Sequence, residues 1–136
     1  MTNHCGQCSM CCKVLPIAEL GKPQMTWCGH FRKGLGCSIY ADRPTACKDF
    51  RCVWLHGVLC GDVSPDDNAL RPDKCKVLAR SSVQDGRQVF NLWVDPAYPR
   101  AHEAIPVRKM IERAYAADCI VVVHAPNETI TYDRRL

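Results

Sequence analysis

The chain carries Cys5-x2-Cys8-x2-Cys11-Cys12, four thiols within eight residues. No helix or strand packing pattern calls for sulfur at that density, so the fold has to satisfy these thiols before anything else. Ten of the 11 cysteines precede residue 76. An odd count and an adjacent pair fit a disulfide framework poorly. The opening Met1-Thr2-Asn3-His4-Cys5 has neither the basic nor the apolar stretch of a secretory signal. The aliphatic run Ile120-Val121-Val122-Val123 is far short of the roughly 20 residues of a membrane helix. The expectation is a cytoplasmic protein without membrane contact, in a reducing compartment where clustered thiols bind metal.

A metal needs several thiolates converging to about 2.3 Å from one point, and a two-residue gap lets the chain curl round an ion. On a helix, Cys5, Cys8, Cys11 and Cys12 would share about 120° of arc. In a knuckle, Cys5/Cys8 or Cys8/Cys11 supplies a pair. A second group is Cys28-x8-Cys37 followed by Cys47-x4-Cys52. Positions 47 and 52 are about 140° apart on a helix, so they serve one ion only if the helix ends between them. The expected metal ligands are therefore Cys5, Cys8, Cys11, Cys12, Cys28, Cys37, Cys47 and Cys52. Cys60 and Cys75 stand outside any close pair, His4 and His30 are neighbours of thiols, and Cys119 opens an aliphatic strand and belongs to the core.

The expected fold class is α+β, one domain over residues 1–136. A loop-rich, metal-stapled region (5–75) packs on a small β-α-β-β-like region (76–136). Pro44 opens a short helix reaching about Val53, and Gly34 and Gly36 mark a tight turn presenting Cys37. After the Asp85-Gly86 turn signal, Val89–Val94 reads as a strand. Pro106–Ala117 reads as a helix from its apolar spacing. Cys119–His124 and Thr129–Tyr132 read as strands. Trp27, Trp54 and Trp93 are expected in the core. Residues 1–75 and 76–136 each carry 9 Lys/Arg against 7 Asp/Glu, so no basic patch recommends a nucleic-acid partner.

Cys5-Gly6-Gln7-Cys8-Ser9-Met10-Cys11-Cys12, followed by Cys37-Ser38-Ile39-Tyr40-Ala41-Asp42-Arg43-Pro44-Thr45-Ala46-Cys47, resembles the CxxCxxCC, or YkgJ-type, cysteine cluster family. That family pairs a CxxCxxCC opening with a C-x-I-Y-x-x-R-P-x-x-C segment, and both stand intact in residues 5–52. Trp54-Leu55-His56-Gly57 and Leu70-Arg71-Pro72-Asp73-Lys74 are similar to bacterial members. The resemblance implies chelation of zinc or iron by the shared cysteines. Some relatives carry the domain in flagellin lysine methylases, so it also leaves an enzymatic alternative.

Zinc is the expected ion, because all-thiolate zinc needs no cofactor assembly and contributes folding energy directly. Iron or an iron–sulfur cluster is the alternative, with Cys5, Cys8 and Cys11 plus the remote Cys47 as one ligand set. Closed four-thiolate coordination favours a structural metal in a protein-binding module over an enzyme. The competing function is an iron–sulfur redox or sensor protein, or an enzyme of lysine-methylase-like systems. No general base and no glycine-rich cofactor loop is evident.

Overall fold

The computed structural model describes residues 9–32, 36–39, 42–48, 50–62, 64 and 69–136. Cys5, Cys8 and His4, and with them the first half of the CxxCxxCC run, lie outside the described residues, as does Gly34.

The carboxy-terminal part is built on a four-stranded mixed sheet in sequential order: β3 (Val77–Gln84), β4 (Arg87–Val94), β5 (Ile120–Ala125) and β6 (Glu128–Tyr132). β3 and β4 form a hairpin whose turn residues, Asp85 and Gly86, both have positive φ (52° and 79°). Two such residues in a two-residue loop match the twist of the strands, which is why Asp-Gly is favoured there. β4 and β5 run parallel, and parallel neighbours need a crossover. The short α4 (Pro72–Cys75) leads into β3, and the crossover is α5 (Ile105–Ala116), started by Pro106 in its first turn. The protein is thus α+β, with its sheet elements in the order β-β-α-β-β. Strand β3 has no counterpart in the sequence reading: only Val77, Leu78 and Ala79 are buried, and its outer five residues are exposed.

Alternation along the strands divides the core in two. Val77, Ala79, Leu92, Val94, Val121 and Val123 point to the side covered by Val107, Ile111 and Ala114 of α5. Leu78 and its cross-strand partner Trp93 point to the other side. There they meet Met10 and Val14 of α1 (Met10–Val14) and Trp54 and Val58 of α3 (Val53–Leu59). Each such side chain contributes about 1.5–3 kcal/mol on burial. The thiol-rich segment is therefore docked on the sheet by its own apolar residues. Trp93 also donates from Nε1 to Gln24 Oε1 at 3.1 Å.

Two sequence expectations are corrected here. The helix expected from Pro44 to Val53 is two helices, α2 (Thr45–Lys48) and α3, with Cys52 extended between them (φ −68°, ψ 164°). Cys52 breaks the run because its Sγ accepts the Leu55 N–H at 3.4 Å, which caps α3. Trp54 and Trp93 are buried, but Trp27 is 46% exposed. It stacks on Phe31 (centroids 4.4 Å apart) beneath the Lys13 ammonium, so its ring is covered by a local aromatic and a cation instead of the core.

Candidate metal centre

Four separate segments bring thiols to one region. Cys11 and Cys12 sit on α1, whose fixed geometry sends adjacent side chains in different directions. The Cys28 N–H donates to the Cys12 carbonyl at 2.8 Å, which clamps the Cys28 loop to α1. From Cys28 the chain enters a small hairpin, β1 (Phe31–Arg32) with β2 (Gly36–Cys37), where Cys37 pairs with Phe31. The Ser38 N–H closes this hairpin onto the His30 carbonyl at 2.7 Å. Cys47 lies on α2, where its N–H donates to the Pro44 carbonyl at 2.9 Å.

Lys22 is the residue that Cys11, Cys12, Cys28 and Cys47 share. A tight loop delivers it: Ile17 and Lys22 exchange two backbone hydrogen bonds, a 3₁₀ turn (Ala18–Leu20) lies between, and Gly21 takes φ 62°. Only 8% exposed, Lys22 donates from Nζ to the Leu15 carbonyl. Burial lowers its pKa, while Cys28, Cys12, Cys11 and Cys47 act in the opposite direction as anions. A buried ammonium needs such partners, since an unpaired charge in the interior is costly.

The thiols also act on one another. A hydrogen bond from Cys11 lowers the Cys12 pKa from 9.0 to about 7; burial opposes this and the Lys22 charge assists it. Cys47 is pushed up, first by burial and then by Cys12, Cys28 and Cys37, with Arg43 pulling the other way. Like charges disfavour ionisation, which is the sense in which Cys12, Cys28 and Cys37 act on Cys47. Among the described residues no three thiol, imidazole or carboxylate groups already stand together in the arrangement of a metal site. In donor chemistry the set fits a thiophilic ion: soft sulfur throughout, and a lysine that offsets excess negative charge.

Of the eight expected ligands, Cys11, Cys12, Cys28 and Cys47 act on Lys22, and Cys37 acts on Cys47. Cys52 lies instead in the core with Met10 and Trp54 and borders a groove together with Cys75 and Cys119. Burial raises the Cys75 pKa, and Cys52 adds to the rise. Cys60 is exposed at the end of α3, its Sγ 3.5 Å from His56 Nε2. Cys119 is buried in the core under α5. His30 lines a shallow cavity with Lys22, Trp27 and Cys28. The sequence reading did not mark Lys22: a single lysine between Gly21 and Pro23 looks like any solvated lysine, and no local signal shows that its loop turns inward.

No family model matches the chain, and no curated protein or solved structure matches it. No helix among the described residues is long and apolar enough to cross a membrane.

Proposed function

We propose that this chain is a metal-binding protein of the CxxCxxCC type, with zinc as its ion and the metal in a structural role. What supports this is that Cys28, Cys12, Cys11 and Cys47, from three segments, all act electrostatically on the buried Lys22, and that Cys37 acts on Cys47. The segments between the docked helices are short and bury few side chains of their own. α1 has two buried residues, and the 3₁₀ turn after it has none. Zinc would supply what such short elements lack, a shared strong bond to several thiolates that is itself folding energy.

We assign Cys11, Cys12, Cys28, Cys37 and Cys47 as donors, together with Cys5 and Cys8 of the same run, which lie outside the described residues. Cys52 takes a different part: it caps α3 and packs in the core. Lys22 holds positive charge beside the thiolates, and Arg43 acts on Cys47 in the same sense. The exposed Trp27–Phe31 stack next to Cys28 is the surface we assign to a protein partner, since paired aromatics and a nearby Lys13 make a good anchor. The site of action is the cytoplasm.

The test is elemental analysis and a visible spectrum on one anaerobic preparation. Zinc at a fixed ratio to protein, with loss of fold on chelation, is the expected result. A brown protein absorbing near roughly 400 nm would replace zinc by an iron–sulfur cluster and a redox or sensing role. Metal-free protein with intact fold would end the metal reading.

A further inference from the structure

The groove bordered by Cys52, Cys75 and Cys119 has a volume of about 550 Å³. It lies between α5 and the β3–β4 hairpin, with Met110 and Ala114 of α5 along one side. Val77 and Ala79 of β3 and Phe90 of β4 form the floor, with Ala114 on the α5 wall. A volume of this size, mostly apolar with few polar groups at its edge, is typical of a small-molecule site.

The polar atoms along its walls are already engaged. Cys75 Sγ donates to the Val77 carbonyl at 3.2 Å and Cys119 Sγ to the Ala117 carbonyl at 3.9 Å. Cys52 Sγ accepts from Leu55, and Gln88 Nε2 donates to Ser81 Oγ at 2.7 Å. A ligand body inside the groove therefore has to be apolar, because a buried polar group there would lose its water partners without replacement. The lip is different. Lys109 and Arg113 stand one turn apart on α5, both exposed, and both border the groove. Among the described residues neither side chain is in an ion pair, and no described lining residue is acidic. Residues four apart on a helix sit about 5–6 Å from each other, the span at which two cations share one carboxylate.

We propose that this groove binds a small carboxylate with an apolar body, of the medium-chain fatty acid class. The head group lies between Lys109 and Arg113, and the chain lies over Ala79 and Phe90. The site is separate from the thiol cluster and does not depend on which metal that cluster takes.

The experiment is a titration of the full, anaerobically purified chain with decanoate, followed by amide and methyl NMR, with decanol as the neutral analogue. Saturable shifts at Ala79, Phe90 and Ala114 are expected, with decanol binding about tenfold more weakly. The double variant Lys109→Gln/Arg113→Gln, both surface changes, should weaken decanoate about tenfold and leave decanol unchanged. Ala79→Phe should abolish both by filling the floor. Equal binding of decanoate and decanol, an unaffected double variant, or no shifts in the groove would overturn the proposal. So would NMR contacts placing Pro65–Asn68 of the chain itself in the groove, or self-association of the protein through the same residues.

Discussion

Lys13 Nζ lies 2.6 Å from Oδ1 of Asp95, whose side chain is only 5% exposed. Lys13 follows the Cys11-Cys12 pair on α1, and Asp95 follows the last residue of β4, so this one contact pins the thiol segment to the end of the sheet. The same carboxylate oxygen accepts the Ala97 N–H at 2.9 Å. Lys13→Ala leaves a buried carboxylate without its counter-charge, and we expect a loss of about 2–3 kcal/mol in urea unfolding. Adding Asp95→Asn should recover part of that loss. Equal stability of Lys13→Ala and the parent would show that the pair contributes nothing.

The thiol cluster should show a graded reactivity. In metal-free protein, iodoacetamide trapping read by peptide mass spectrometry should give Cys12 a midpoint near pH 7, against the ordinary 9.0 after unfolding in urea. Cys47, which is shifted upward, should react only at higher pH than Cys12. Because the folded pKa of Cys12 is depressed, its stabilising contribution is present above the unfolded value and is lost as pH falls from about 9 through about 7. Lys22→Met keeps the stem and removes the charge, so the Cys12 midpoint should move upward. A Cys12 midpoint unchanged by Lys22→Met would remove Lys22 from the cluster's electrostatics.

His124 stands on the sheet face opposite α5, stacked on Trp93 with ring centroids 5.1 Å apart, and its Nε2 is 3.0 Å from Asn91 Oδ1. Burial lowers its pKa below the ordinary 6.5. The neutral ring is thus the folded form, so its stabilisation is complete above pH 6.5 and is lost as pH falls through the lowered folded value. NMR titration of the ring should give a midpoint below 6.5, and His124→Gln should flatten the acid side of the stability curve. A midpoint above 6.5 would contradict the burial argument.

The cysteines should separate by substitution. Cys28→Ser, Cys37→Ser and Cys47→Ser each remove a proposed donor, so bound metal should fall and the fold should weaken with it. Cys52→Ser should keep its metal, because the serine hydroxyl can still cap α3. Its loss should be confined to packing, about 1 kcal/mol. Cys60→Ser, at an exposed position, should change neither. Metal lost from Cys52→Ser and retained in Cys47→Ser would reverse the assignment.

Much of the carboxy-terminal half was legible in the sequence because its signals are local. The spacing of Val107, Met110, Ile111 and Ala114 marks α5 within a residue of its observed ends. The β-branched run after Cys119 marks β5. β3 was not legible, since Arg80 to Gln84 are exposed and, Val83 apart, polar, and they become strand by pairing with β4. In the amino-terminal half, the motif spacing identified the thiols but not their destinations. Cys47 and Cys52 are five residues apart, yet one faces the cluster and the other caps a helix in the core.

By itself the sequence determined that this is an α+β chain with ten of its 11 cysteines before residue 76, because residue type and periodicity act over one or two turns of chain. Only the tertiary structure decided which thiols share a neighbourhood, that Lys22 turns inward among them, and that α5 leaves a groove beside β3. Those outcomes depend on long-range burial, where Leu78 and Trp93 seat α1 and α3 on the sheet and with them Cys11, Cys12 and Cys52.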